Sequence, residues 1–109
     1  MINITLDWDE AKQVAIDTYP KAIKTRTRHL KDYKEAYGVE SVTKYLPTHY
    51  FDGSGYRYSD LEYLLKENTI RAREVMISWM VSWNTQKNLF GEEAANSSFE
   101  DFRKGLHDT

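Results

Sequence analysis

Apolar residues recur at helical spacing near the start of the chain, and polar residues mark the beginning of the helix that they predict. Four side chains follow Asp7 at intervals of three and four: Trp8, Ala11, Ala15 and Tyr19. Asp7 is suited to cap the helix, and Glu10 three residues later completes a capping-box pattern. Pro20 then ends this helix or starts a second one at its first turn.

Residues 21–37 predict a second helix, which Gly38 stops. A helical wheel separates an apolar arc from a basic one. The apolar arc holds Ala22, Ile23, Leu30, Tyr33 and Tyr37. The basic arc holds Lys21, Lys24, Arg28 and Lys31. Arg26 falls inside the apolar arc. We expect its side chain to extend to solvent or to pair with a carboxylate, and the further alternative is that it points into a site.

Residues 59–88 show the longest helical periodicity in the chain. Ser59 and Glu62 form a second capping-box pattern. One apolar face then runs through Leu61, Leu65, Ala72, Val75, Met76, Trp79 and Trp83. We favour one continuous helix from Asp60 to about Asn88. Asn68-Thr69 is its weak point, because in the alternative case Thr69 caps a separate second helix. After Gly91, a short final helix is predicted around Phe99, with Ser97 or Ser98 as its cap.

The segment 75–83 contains no charged residue. It alternates like a strand, but the pattern before it is helical, so we favour helix. A second apolar stripe lies opposite the main one and consists of Tyr63, Ile70, Ile77 and Val81. A helix that is apolar on both sides is buried on both sides, so this one is central or lies in an oligomer interface.

We therefore expect a mainly α single domain over residues 1–109, with three to five helices around the 70–83 segment. A short β-hairpin around 49–58 is an additional alternative, because aromatic residues flank the turn-like stretch Asp52-Gly53-Ser54-Gly55. An ordered loop explains the same stretch equally well.

Composition narrows the functional classes. The chain has no cysteine, which excludes disulfides, thiolate metal sites and thiol nucleophiles. No stretch approaches the roughly 18 to 20 apolar residues of a membrane span, and the N-terminus does not have the pattern of a signal peptide. We expect a cytoplasmic protein that does not bind membranes.

Catalytic and metal-binding motifs are missing from the sequence. The three histidines, His29, His49 and His107, have no recognised metal-ligand spacing. Ser54 with His49 and Asp52 lacks the spacing of a nucleophile elbow. We expect no metal, no cofactor and no enzymatic activity.

Charge is unevenly distributed along the chain, although its net value is only -2. Residues 21–34 carry six basic side chains and one acidic side chain, between two acidic ends. A nucleic-acid-binding protein is one explanation, in which a helix-turn-helix over 59–75 places Arg71 and Arg73 in the major groove. The basic arc of Lys21, Lys24, Arg28 and Lys31 would then contact phosphates.

A protein partner is the explanation that we favour. Aromatic side chains cluster around the 52–55 turn: Tyr50, Phe51, Tyr56 and Tyr58. Tyrosine is enriched at interfaces because its ring is apolar and its hydroxyl is polar. In general character (short, cysteine-free, aromatic-rich and patchily charged) the chain resembles small phage-encoded host-interaction proteins, although no motif carries this resemblance. We expect a small non-enzymatic regulatory protein, a homodimer, that acts by binding another macromolecule.

Overall fold

The computed structural model describes residues 7–38 and 56–104, and five helices account for most of them. The helices are α1 (Trp8–Thr18), α2 (Pro20–Tyr37), α3 (Asp60–Glu67), α4 (Thr69–Phe90) and α5 (Glu92–Lys104). The predicted mainly α class is confirmed. Most of the alternative hairpin, residues 49–55, lies outside the described residues, and 56–59 lead into α3 without a strand.

Helix α4 is the centre of the described fold, because each of the other four helices packs against it. The uncharged segment 75–83 is helical throughout, so the strand alternative is wrong. Trp79 and Met80 are completely buried although they point in different directions. Burial also includes polar residues near the end of α4, among them Asn84, Thr85 and Gln86. A helix surrounded on nearly all sides explains why its sequence carries two apolar stripes.

Five aromatic rings pack together and connect α1, the turn before α3, and α5 to the centre of α4. They belong to Trp8, Tyr58, Trp79, Phe99 and Phe102. Neighbouring ring centroids lie between 5.1 and 6.4 Å apart, in stacked, tilted and edge-to-face arrangements. These separations and geometries are the ones that aromatic pairs prefer. The cluster explains much of the high aromatic content of so short a chain.

Several predicted helix ends are confirmed. The Asp7 carboxylate accepts a hydrogen bond from the Glu10 amide at 2.7 Å, which caps α1. Pro20 occupies the first turn of α2, where its missing amide hydrogen costs nothing. Gly38 and Gly91 end α2 and α4 with φ angles of 88° and 96°. Side chains with a Cβ rarely adopt such angles, so glycine is needed at both positions.

Two predicted boundaries and one predicted capping hydrogen bond are wrong. The expected continuous helix from Asp60 breaks at Asn68, whose side-chain oxygen accepts from the Arg71 amide at 3.1 Å and caps α4 in place of Thr69. Helix α3 begins directly after Ser59, as predicted, but the Ser59 side chain makes no capping hydrogen bond. Ser97 and Ser98 do not cap a short final helix, because α5 begins five residues earlier, at Glu92.

Helix α2 uses its apolar arc largely as predicted. Ile23 and Leu30 are buried, whereas Tyr37 at the C-terminal end is exposed. Arg26, the charged residue inside this arc, reaches across to α4, where its guanidinium donates to the Ser82 hydroxyl at 3.4 Å. Of the second apolar stripe, Ile77 and Val81 on α4 are buried, whereas Tyr63 on α3 and Ile70 at the start of α4 are exposed, so half of the stripe belongs to the core.

Candidate functional site

A groove of about 580 Å³ lies between α2 and α4, close to the end of α1. We call it the basic groove. It is lined by Ile16, Pro20, Ile23, Lys24, Thr27, Arg28, Lys31, Asn84, Lys87 and Asn88. Its volume is in the range of protein ligand sites, about 300–1,000 Å³. Four of the lining residues are cationic and none is acidic.

The α2 wall of the basic groove follows from helical spacing. Lys24, Arg28 and Lys31 are separated by four and three residues, which places them on one face. Ile23 is next to this face and is buried, so it fixes the rotation of α2 against α4. The predicted basic arc thus forms one wall, except for Lys21, which is exposed but does not line the groove.

The α4 wall was not predicted from the sequence. Asn84 uses its amide group internally, donating to the Lys12 carbonyl at 3.2 Å and to the Met80 carbonyl at 2.8 Å. Lys87 is exposed, and its ammonium lies 5.5 Å from the centre of the Trp83 ring. Lysine in the last turn of a helix is a common feature, so nothing in the local pattern marked Lys87 as the partner of a stripe on α2.

The cations of the α2 wall have no carboxylate partner among the described residues. The ion pairs among the described residues join Lys12 to Asp9, Arg71 to Glu74, and Arg103 to Glu100. None of these pairs involves Lys24, Arg28 or Lys31. Several like charges along one groove produce a positive potential that attracts an anionic ligand.

The arginines of the helix-turn-helix hypothesis lie elsewhere. Arg71 and Lys87 are about 24 Å apart along α4 and about 160° apart around it, by helix geometry. Arg71 is engaged locally: its guanidinium is 3.0 Å from the Glu74 carboxylate and 5.9 Å from the centre of the Tyr56 ring. Its pKa is raised, first by hydrogen bonding to Tyr56 and by the charge interaction with it, then by Glu74. Arg73 is half-buried on the same turn.

The α3–α4 junction also departs from a helix-turn-helix. Asn68 alone separates the two helices, whereas such motifs use a turn of three to four residues. Neither Arg71 nor Arg73 lines the basic groove. Nucleic-acid binding itself stays a prediction.

Two of the four aromatic residues predicted to bind a partner belong to the described part of the chain. Tyr58 is half-buried in the aromatic cluster, and the Arg103 guanidinium lies 5.0 Å from its ring centre. Tyr56 is half-buried as well and packs against the core. Tyr50 and Phe51 lie outside the described residues. The structure thus gives Tyr56 and Tyr58 packing roles, and their contact with a partner stays a prediction.

No family model, no curated protein and no solved structure matches this chain. Within 7–38 and 56–104, no group of three histidine or acidic side chains is placed to hold a metal ion. In the same residues, no helix combines the length and apolar character that crossing a membrane requires. We therefore infer function from the geometry and charge of the basic groove.

Proposed function

We propose that this protein is a small non-enzymatic regulatory protein that binds an acidic segment of a protein partner in the basic groove. One observation carries the proposal. Lys24, Arg28 and Lys31 line a groove without acidic residues and have no carboxylate partner among the described residues. Carboxylates of a partner would supply the missing negative charge.

The groove favours a protein partner over a nucleic acid because its cations are confined to a small, partly apolar space. Proteins that bind duplex DNA spread their phosphate contacts over a basic surface, and their domains are usually strongly basic. This chain has a net charge of -2. Arg71 lies on a different side of α4 from Lys87, and Arg73 lies about 21 Å from Lys87 along the helix, so neither arginine lines the basic groove.

Self-association and location belong to the same proposal. The homodimer would use the exposed part of the second apolar stripe, Tyr63 and Ile70, each of which is 66% exposed. These residues do not line the basic groove, so a dimer formed there leaves the groove free. We also propose that the protein acts in the cytoplasm.

Charge reversal in the basic groove tests the proposal. A labelled glutamate decapeptide is titrated with wild-type protein and with the triple variant Lys24→Glu/Arg28→Glu/Lys31→Glu, by fluorescence anisotropy. Exposed ion pairs contribute about 0.2–1 kcal/mol each and reversal adds repulsion, so we expect binding to weaken about tenfold or more. Binding by the wild type should also weaken between about 50 and about 200 mM salt.

The matched control reverses three exposed cations that do not line the groove, in the variant Arg57→Glu/Lys66→Glu/Lys104→Glu. Both variants carry the same net charge, so a loss confined to the first locates the binding site. Equal losses in both would mean that only the overall charge matters and would contradict the proposal. Tight, salt-sensitive binding of duplex DNA, with no binding of the decapeptide, would favour the nucleic-acid alternative instead.

A further inference from the structure

The basic groove combines its charged rim with apolar lining. Ile16, on α1, lines the groove and is 42% exposed. Pro20 and Ile23 line the same groove, and the buried Ile23 connects this surface to the core. Covering exposed apolar area at such a place contributes to ligand binding. A ligand that made only charge contacts would leave this contribution unused.

The uncharged polar side chains of the walls are mostly committed to internal hydrogen bonds. The Thr27 hydroxyl donates to the Ile23 carbonyl at 2.7 Å. Both amide hydrogens of Asn84 are taken by backbone carbonyls. The groove therefore offers a ligand mainly ammonium and guanidinium groups at the rim and apolar surface between the helices. Such a site recognises an acidic chain that also carries apolar side chains. It does not select its ligand by a pattern of hydrogen bonds.

The spacing of the cations suggests how such a chain fits. Lys24 and Arg28 are about 6 Å apart along the α2 axis. In an extended peptide, residues two positions apart are separated by about 6.6 Å, and the residue between them points to the opposite side. Two acidic side chains on the rim would thus direct the side chain between them away from the cations, toward the apolar lining.

We propose that the ligand of the basic groove is an extended protein segment in which a large apolar residue stands between acidic residues. The acidic side chains contact Lys24 and Arg28, and the apolar side chain packs on Ile16. This inference rests on the proposed function and adds the class of segment that the site selects. A free phosphate or a uniformly acidic chain would use the rim alone.

Two end-blocked, labelled peptides of equal length and charge test this inference: Glu-Glu-Leu-Glu-Glu and Glu-Glu-Ser-Glu-Glu. Fluorescence anisotropy with the wild-type protein should give about 5- to 20-fold tighter binding for the leucine peptide. The variant Ile16→Ser should bind both peptides about as the wild type binds the serine peptide. Tyr37→Ser is the matched control, because Tyr37 is also an exposed, largely apolar side chain, does not line the groove and does not belong to the proposed dimer surface. It should keep the difference between the peptides.

The outcomes separate this inference from the function on which it rests. If both peptides bind the wild type equally and lose binding on the triple charge reversal, the apolar preference is wrong and the acidic-segment function stands. If neither peptide binds, both proposals fail. If Ile16→Ser keeps the preference for leucine, with its helical circular dichroism unchanged, the apolar contact does not lie at Ile16 and the inference is overturned.

Discussion

Gln86 allows a test of whether a buried side-chain amide without hydrogen-bond partners lowers the stability of this protein. Its side chain is completely buried on α4, and neither its Nε2 nor its Oε1 atom has a hydrogen-bond partner among the described residues. Burying an amide without a partner costs about 1–3 kcal/mol in protein mutational data. Methionine is similarly long and unbranched and has a similar helix propensity. Gln86→Met therefore removes the unpaired amide and changes little else.

We expect Gln86→Met to raise the free energy of unfolding by about 1–3 kcal/mol. For a chain of this size, each kcal/mol corresponds to an increase in Tm of about 4 °C or more. Urea and thermal unfolding, followed by far-UV circular dichroism, measure both quantities. Gln13→Met is the matched control, because Gln13 is exposed on α1 and its amide donates to Asp17 at 2.9 Å. We expect the control to change stability by no more than about 0.5 kcal/mol.

A second exchange at the same position predicts the sign of a pH dependence. In Gln86→Glu, burial would raise the pKa of the introduced carboxyl above the ordinary value of about 4.3. At pH values between the unfolded-state pKa of about 4.3 and the raised folded-state pKa, the folded state binds the proton more strongly than the unfolded state. Stability should therefore fall as pH rises above about 4.3, by up to about 1.4 kcal/mol per pH unit relative to wild type. A destabilised Gln86→Met variant, or a Gln86→Glu variant with wild-type pH dependence, would show that position 86 is hydrated or hydrogen-bonded and would refute the reasoning.

Three further predictions concern the helix ends and the assembly. Asn68→Ala removes the side-chain acceptor for the Arg71 amide and should lower the unfolding free energy by about 0.5–2 kcal/mol in urea titrations; no loss would mean that α4 does not depend on this cap. Gly91→Ala should lower the unfolding free energy by about 1–3 kcal/mol in the same assay, because alanine rarely adopts the φ of 96° and ψ of 165° found there. No neighbouring atom obstructs a Cβ, so the backbone conformation alone accounts for this loss. An unchanged stability would place Gly91 in another conformation. In multi-angle light scattering we expect twice the chain mass of 12.9 kDa, and Ile70→Asp should shift the protein toward monomer; a single-chain mass at every concentration would contradict the homodimer.

Local patterns predicted those parts of the fold that local physics determines. The Asp7 cap, the start of α2 at Pro20 and its end at Gly38 follow from backbone hydrogen bonding and glycine conformation. The helical state of 75–83 followed from periodicity carried through from the residues before it. The basic wall of the groove was visible for the same reason, since three cations at helical spacing share one face whatever the tertiary fold.

Competing local signals account for the wrong boundaries. Apolar periodicity continues across Asn68, so it favoured one helix although Asn68-Thr69 was predicted to be its weak point. The break depends on the side chain of Asn68 accepting from the Arg71 amide. In α5, Glu92 and Glu93 suit the positive end of a helix dipole and Ala94 and Ala95 are strong helix formers. Together they extend the helix through residues 96–98, whose side chains alone indicated a cap.

Long-range packing could not be predicted from local sequence patterns. The two walls of the basic groove are separated by more than fifty residues of chain, and no local feature pairs Lys31 with Lys87. The contact of Arg26 with Ser82 has the same character. Such pairs are set by how the apolar faces of α2 and α4 fit together, which depends on side-chain shape across the interface.

Mapping the binding surface tests the central claim most directly. Amide chemical shifts of isotope-labelled protein are recorded while the peptide Glu-Glu-Leu-Glu-Glu is added. We predict that the largest changes occur over 20–31 of α2 and 84–88 of α4, and that they disappear in the Lys24→Glu/Arg28→Glu/Lys31→Glu variant. Changes concentrated around Tyr56 and Tyr58 or around Arg71 and Arg73, or no changes at all, would contradict the assignment of the basic groove as the binding site.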